Sequence, residues 1–322
     1  LKTKVSAFPP VEVMNVIDAE VLKASSTEGL MTLKGNHTFY ETVYVPRNRT
    51  LIIEPGTNID LRNGARFVSY SPVHMKGNKD HPISFYSSDS KGGGVVFLPD
   101  GGEVNIDHAR FSNLTAGNGS SWTLTGAVTI YEAKVNISNS VFTKNRCEDG
   151  LNLIRCDFEM NQSEISHTTS DGFDADFCIG TLSNSSFFNT GNDCIDFSGS
   201  TIKIESCSID GSGDKGISGG ESSNLIVKDC KIKSASIGIA SKDNSTVSVS
   251  GTSINSCDFA FAAYMKKAEF GPALIDVKST ELKNVEAPYL IELNSKVLMN
   301  GKENLGEKRF DIDSMYMSFS QK

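Results

Sequence analysis

Acidic residues recur at a regular spacing in the middle of this 322-residue chain. Four polar corners, each built around an aspartate, follow one another between residues 147 and 216. They are Cys147-Glu148-Asp149-Gly150, Thr169-Ser170-Asp171-Gly172, Gly191-Asn192-Asp193-Cys194 and Gly213-Asp214-Lys215-Gly216. Their aspartates are 22, 22 and 21 residues apart. Carboxylates that such a repeat brings together can bind a cation, share a proton or pair with a lysine.

The segments that must position these corners also repeat about every 22 residues. Eight windows share a small sixth residue and a large apolar eighth residue, for example Ala109 and Phe111 in the first window. The windows start at Val104, Val135, Phe158, Gly180, Ile202, Leu225, Val247 and Ile275. A coil of this length holds two or three short strands with turns. The sequence therefore predicts an all-β fold, a right-handed parallel β-helix in which each coil packs on the next.

The regularity of the pattern divides the chain into three predicted segments. Residues 1–30 show weak periodicity and are expected to form an N-terminal entry segment or cap. Residues 31–290 are expected to form the parallel β-helix. The register fades after about Pro288, so residues 291–322 are expected to cap the stack or to trail from it.

Composition narrows the possible partners and the location of the protein. The formal charge is −8 and no basic stripe is visible, so nucleic acid is an unexpected partner. No apolar run approaches the roughly 20 residues that span a bilayer, so no membrane-spanning segment is predicted. Eight Asn-x-Ser/Thr sites permit a secreted, glycosylated protein, and we expect an extracellular or cell-surface location. These sites begin at Asn36, Asn48, Asn113, Asn118, Asn136, Asn161, Asn184 and Asn244.

Alternation along each strand separates an inward set of residues from an outward set. We expect the inward positions to be Phe173, Ile195, Ile217, Ile239 and Phe261. The next position, facing outward, then holds Asp174, Asp196, Ser218, Ala240 and Ala262. Two residues further on, the same outer face holds Asp176, Ser198, Gly220, Lys242 and Tyr264. Adjacent strands lie about 4.8 Å apart, so charged groups on this face must interact.

Several of these outward residues are candidates for function. Aspartate is disfavoured inside strands, so Asp174, Asp176 and Asp196 are predicted to ligate a cation, with Ca²⁺ the candidate cofactor. Asp149 and Asp214 are interpreted as residues that satisfy turn amides.

The lysines on this face admit two interpretations. Lys242 and Lys215 either neutralise the carboxylates, or one of them, with its pKa lowered by desolvation, abstracts a proton. Tyr264, Lys266 and Lys267 extend the outer face, and together with Asp196 they are predicted to bind an anionic polymer.

Over residues 165–245 the corners resemble those of polygalacturonase-type glycoside hydrolases and, more loosely, other pectinolytic β-helix proteins. The similar positions are Thr169-Ser170-Asp171-Gly172, Gly191-Asn192-Asp193-Cys194, Asp214-Lys215-Gly216 and Ala240-Ser241-Lys242. The resemblance implies catalytic roles for Asp171, Asp193 and Lys242. Asn192 stands where the family has the first aspartate of a pair, and an amide cannot deliver the proton that hydrolysis needs.

A lysine beside an acidic cluster is similar to the arrangement in calcium-dependent polysaccharide lyases of the same fold. In those enzymes a basic residue takes the C5 proton of a uronate. The leading hypothesis is therefore an enzyme that acts on an acidic polysaccharide by β-elimination. A polygalacturonase-like hydrolase and a non-catalytic β-helix module that binds glycan or has a structural role are the alternatives.

Overall fold

The structure, a computed structural model, describes residues 23–24, 29–116 and 123–311. Within these ranges the regular structure is entirely β, in 33 strands. The described residues include no helix that is long and apolar enough to cross a membrane. Most of the predicted N-terminal segment, residues 1–30, and the last part of the predicted C-terminal segment lie outside the described residues.

The strands stack in parallel on three faces, and about 12 coils follow one another along the stack. The first face contains β2 (Leu30–Leu33), β5 (Thr50–Ile53), β8 (Val73–Lys76), β11 (Glu103–Asp107), β14 (Lys134–Ser138), β17 (Asp157–Asn161), β20 (Ile179–Ser183), β23 (Thr201–Glu205), β26 (Asn224–Lys228), β28 (Thr246–Ser250), β30 (Leu274–Lys278) and β32 (Lys296–Met299). Two antiparallel strands flank this face, β1 (Lys23–Ala24) beside β2 and β33 (Lys302–Leu305) beside β32.

The second and third faces merge in the last coils, where single long strands run through both. The second face contains β3 (Asn36–Phe39), β6 (Asn58–Leu61), β9 (Ile83–Tyr86), β12 (Ala109–Ser112), β15 (Val141–Thr143), β18 (Glu164–Thr168), β21 (Ser186–Thr190) and β24 (Ser208–Ser212). The third face contains β4 (Val43–Val45), β7 (Phe67–Ser69), β10 (Val95–Phe97), β13 (Gly126–Tyr131), β16 (Asp149–Ile154), β19 (Asp171–Asp176), β22 (Ile195–Ser198) and β25 (Lys215–Gly220). The long strands are β27 (Lys231–Lys242), β29 (Ser253–Tyr264) and β31 (Glu281–Ile291).

The strand register confirms the predicted repeat residue by residue. Val104 pairs with Val135, and the pairing continues through every predicted window start as far as Ile275. The parallel stack extends to Met299, beyond residue 290, before β33 turns back. The fold is the predicted parallel β-helix.

The turn between the first and second faces explains why Asn, Asp and small polar residues recur there. One residue per coil adopts a positive φ, a conformation that Asn and Asp tolerate better than most residues. In successive coils this residue is His108, Asn139, Gln162, Asn184, Ser206, Asp229, Gly251 and Ser279. These sharp turns let the apolar side chains of every coil point to one shared interior.

Like residues stack in this interior along the helix axis. The rings of Phe85, Phe111 and Phe142 lie parallel, with centroids 5.4 Å and 4.9 Å apart. The predicted inward set from Phe173 to Phe261 is confirmed, because its members are in register and fully buried. Each buried aromatic ring removes a large apolar area from water, so the stacked interior holds the coils together.

Candidate active site

The third face starts with a local departure from strict alternation that turns an acidic residue outward. A Cβ on Gly150 would lie 2.8 Å from Thr168 Cγ2 and 3.4 Å from Ile165 Cγ2, so position 150 faces the interior. The next residue, Leu151, is also buried in the core. Asp149, before this inward pair, is thereby placed on the outer side. Gly172 repeats the arrangement in the next coil, where an added Cβ would lie 2.6 Å from the carbonyl oxygen of Cys194.

Three columns of side chains therefore run along the outer side of the third face. The first column contains Asp149, Asp171, Asp193, Lys215 and Ile237. The second contains Asn152, Asp174, Asp196, Ser218, Ala240 and Ala262. The third contains Ile154, Asp176, Ser198, Gly220, Lys242 and Tyr264. We call Asp149, Asp171, Asp174, Asp176, Asp193 and Asp196 the aspartate cluster. Lys215, not Asp214, is in register with the first column.

Two buried lysines hold part of the aspartate cluster. Lys242 Nζ lies 3.3 Å from both carboxylate oxygens of Asp196. Lys215 Nζ lies 3.3 Å from Asp193 Oδ1 and also pairs with Asp214. The side chains of Lys215 and Lys242 are 3% and 6% exposed. Both lysine side chains are thus buried in the face and in contact with carboxylates.

Asp171 is anchored through one oxygen only. Its Oδ1 accepts hydrogen bonds from Asn192 Nδ2 at 2.6 Å and from the backbone N–H of Asp193 at 2.9 Å. Its Oδ2 has no hydrogen-bond partner among the described residues. Asp171 is half-buried, whereas Asp193 is 1% exposed, so Asp171 is the more accessible of the two predicted catalytic carboxyls.

Burial raises the pKa of most carboxyls in the aspartate cluster. Desolvation raises the pKa of Asp149 and of Asp171 to about 7, and it raises that of Asp193 to about 6. Desolvation also raises the pKa of Asp174 well above its usual value, and neighbouring carboxylates add to this effect.

Asp196 differs from its neighbours. Its desolvation is outweighed by the ammonium groups of Lys242 and Lys215, which hold the pKa of its carboxyl below the usual value. At neutral pH the cluster therefore contains an ionised carboxylate beside carboxyls that still carry protons.

Along the helix axis, the aspartate cluster is flanked by apolar residues on the outer side of the third face. Toward the N-terminus, Val68, Tyr70 and Val96 are buried in an outer cluster with Leu124 packed against it. Toward the C-terminus, Ile237, Ala240, Ala262 and Tyr264 form a second outer cluster. The accessible part of the face is consequently limited to the coils around Asp174 and Asp196.

The position of Tyr264 corrects the expectation that it lines a binding surface. Its side chain faces outward in the predicted column, but it is fully buried. Phe310, from the segment after β33, packs against the same cluster, and Phe310 N donates to Glu292 Oε1. The outer face is covered there by a chain segment distant in sequence, so Tyr264 cannot contact a polymer.

The two remaining predicted binding residues lie at the edge of the same region. Lys266 and Lys267 are exposed. Lys267 pairs with Glu221, and its N–H donates to Asp243 Oδ1 at 2.6 Å. Glu221 and Lys267 both act electrostatically on Asp176, whose pKa is raised chiefly by desolvation. Lys267 thus borders the aspartate cluster on one side.

The predicted calcium ligands share the face but do not form a closed coordination shell. Asp174 and Asp196 are in register on adjacent strands, and Asp176 lies two residues along. Among the described residues, no three His, Cys, Asp or Glu side chains are arranged to hold a metal ion. Lys242 Nζ also lies against both oxygens of Asp196. Calcium binding stays a prediction, and no chemical step is derived from it.

Asp149, which the sequence pattern indicates as a turn residue, lies in the aspartate cluster. It is 1% exposed, and its Oδ2 has no hydrogen-bond partner within the part of the chain that the structure describes. The same 22-residue spacing that identified Asp171 and Asp193 also pointed to Asp149. Asp149 is in register with Asp171 on the adjacent strand, as this spacing predicts.

Residues 125–271 match the family described as right handed beta helix region. The chain is a right-handed parallel β-helix. Its structure is similar to that of the periplasmic alginate epimerase AlgG, with a TM-score of 0.51, 11% sequence identity, and coverage of 84% of this chain and 81% of that chain. The structure is also similar to that of PfbA, a surface adhesin of Streptococcus pneumoniae, with a TM-score of 0.47, 11% sequence identity, and coverage of 87% of this chain and 92% of that chain. No curated protein matches this β-helix. At these identities the similarities establish the fold alone.

Proposed function

We propose that this β-helix is an extracellular or cell-surface enzyme that acts on an acidic polysaccharide by β-elimination at the aspartate cluster. The arrangement of the cluster carries the proposal: half-buried Asp171 has one anchored oxygen, and Lys242 Nζ lies 3.3 Å from both oxygens of Asp196 on the same face. Carboxyls with a pKa near neutrality, including Asp171 at about 7, lie on the same exposed face as Asp196, which the lysines keep ionised. A general acid or base is most effective when its pKa is close to the working pH.

Asp171 is the base in this proposal, in place of either lysine. Lys242 and Lys215 are nearly inaccessible, and the Nζ of each already lies 3.3 Å from a carboxylate oxygen. Asp171 has one anchored oxygen and one oxygen without a partner among the described residues, and it is half-buried. The lysines then serve to hold the charge of Asp193 and Asp196.

The proposed step balances as a proton transfer followed by bond cleavage. Asp171 Oδ2 takes the C5 proton of a uronate residue, and the electrons of the C–H bond form a C4=C5 double bond. The C4–O4 bond breaks, and the leaving oxygen receives a proton from Asp174, whose raised pKa keeps it protonated. Protonated carboxyls also reduce the repulsion between this acidic face and an anionic polymer.

Hydrolysis is the second candidate, and a specific observation favours it. An ionised Asp196 beside protonated carboxyls is the acid and base pairing that glycoside hydrolysis uses. Asp174 would protonate the leaving oxygen, and Asp196 would activate a water molecule.

A product assay tests the proposal and separates the two reactions. The protein is incubated with polygalacturonate, alginate and a neutral glucan, and both ultraviolet absorbance and reducing ends are followed. β-Elimination produces reducing ends with unsaturated, absorbing products, whereas hydrolysis produces reducing ends alone. Asp171→Asn should abolish product formation, and the control Asp210→Asn, on the second face, should not. A non-catalytic module would give no product on any polymer.

A further inference from the structure

A stacked arginine and phenylalanine form a rim beside the aspartate cluster. Arg155, Phe177 and Gly199 occupy the corner after the third face in three successive coils, with φ values of 55°, 54° and 60°. Arg155 follows Ile154, which is in register with Asp176, and its N–H donates to the carbonyl oxygen of Asp176 at 2.8 Å. The rim is therefore one residue beyond the outer column that contains Asp176.

The ring of Phe177 is held between a glycine and a guanidinium. Arg155 Cζ lies 5.5 Å from the ring centroid. On Gly199 an added Cβ would lie only 2.7 Å from Phe177 Cδ1, so the ring packs directly on the glycine backbone. Phe177 is nevertheless 56% exposed. A large aromatic residue fixed in place and exposed to solvent is unusual on a polar corner, which points to a contact outside the chain.

The guanidinium of Arg155 keeps its hydrogen-bonding capacity. Arg155 is exposed, and among the described residues its guanidinium donates no hydrogen bond and takes part in no ion pair. Lys215, Lys242 and Lys267 are instead all paired with carboxylates. A planar guanidinium that rests on an aromatic ring loses little freedom when it binds a carboxylate through two parallel hydrogen bonds.

We infer that Arg155 and Phe177 form a binding subsite for the carboxylate of a uronate residue in the same polymer, beyond the one that reacts. Arg155 binds the carboxylate, and the exposed part of the Phe177 ring contacts the sugar carbons. The inference rests on the proposed function for the identity of the substrate. The guanidinium of Arg155 would supply the positive charge that selects acidic sugars beside the aspartate cluster.

Binding of short oligomers tests this subsite without requiring turnover. Trigalacturonate, trimannuronate and the methyl ester of trigalacturonate are titrated calorimetrically into the Asp171→Asn protein and into its Arg155 variants. Loss of hydrogen bonds to a charged group weakens binding by about 10-fold to 100-fold. We expect a loss of this size for Arg155→Ala with at least one of the two acidic trimers and little change for the ester. Arg155→Lys should recover only part of the affinity, because it keeps the charge but not the planar fork.

Two further variants separate binding from packing. Phe177→Ala should also weaken uronate binding, whereas the control Arg110→Ala, an exposed arginine on the second face, should not. The inference is overturned if Arg155→Ala binds the acidic trimers as tightly as its parent, if the ester loses affinity equally, or if no acidic trimer binds at all. If uronate binding depends on Arg155 but no polymer is ever cleaved, the subsite stands and the proposed reaction fails. If polymers are cleaved and Arg155 has no effect, the subsite alone fails.

Discussion

Replacement of Lys242 by alanine should raise the pKa of Asp196 and lower the stability of the protein. Lys242 Nζ lies 3.3 Å from both oxygens of Asp196, and the two side chains are 6% and 24% exposed. At that distance the direct Coulomb attraction is about 5 kcal/mol with an effective dielectric constant of about 20. Lys215 remains nearby and Asp196 partly faces solvent, so the pKa of Asp196 should rise by less than this direct attraction alone would give. The free energy of unfolding should fall by about 1–3 kcal/mol, less than for a fully buried pair.

Lys233→Ala provides a matched control, because Lys233 Nζ also lies 3.3 Å from a carboxylate, that of Asp210. These two side chains are 55% and 50% exposed, so the loss of stability should stay below about 1 kcal/mol. Carbon-13 NMR of the aspartate carboxyls gives the titration midpoints, and urea unfolding gives the stabilities. If the midpoint of Asp196 is the same in Lys242→Ala as in the original protein, the lysine does not control its ionisation.

Three further predictions concern pH, packing and calcium. Asp149 and Asp171 have a folded-state pKa of about 7, above their unfolded value, so the stability they contribute at low pH is lost as pH rises toward 8. The melting temperature should fall between pH 5 and pH 8, and Asp171→Asn should make that fall smaller; an unchanged pH dependence contradicts this. Tyr264→Ala should cost about 3–5 kcal/mol in urea unfolding, because Tyr264 is fully buried, whereas the exposed Tyr40→Ala should cost little; equal effects would mean that Tyr264 is not covered. If the predicted calcium site exists, millimolar CaCl₂ should raise the melting temperature at pH 8, and Asp174→Asn should remove the effect. No shift with calcium counts against that site.

The fold was predictable from sequence because the repeat acts locally and many times over. Each coil needs one small residue after the turn and one large apolar residue facing the interior, as Ala109 and Phe111 show. Stacking like residues fixes the register with the coils on either side, so the pattern determines the strand pairing directly. The outward positions of Asp174 and Asp196 followed from the same alternation.

The state of the outward side chains was not predictable in the same way. Lys242 and Tyr264 face outward as expected, but both are buried. Phe310, far away in sequence, packs against the cluster that contains Tyr264. Asp149 was interpreted as a turn residue because turns favour aspartate, and the structure places it in register with Asp171 on the third face. The repeat determines which way a side chain points, and distant segments determine whether it can be reached.

A crystal structure of the Asp171→Asn variant with a bound uronate trisaccharide would show whether the aspartate cluster is the active site. We expect a sugar ring over Asp174 and Asp196, with the carboxylate of another ring of the trisaccharide on the guanidinium of Arg155. Sugar bound on the first or second face, or no sugar at saturating concentration, would contradict the assignment of the aspartate cluster as the active site.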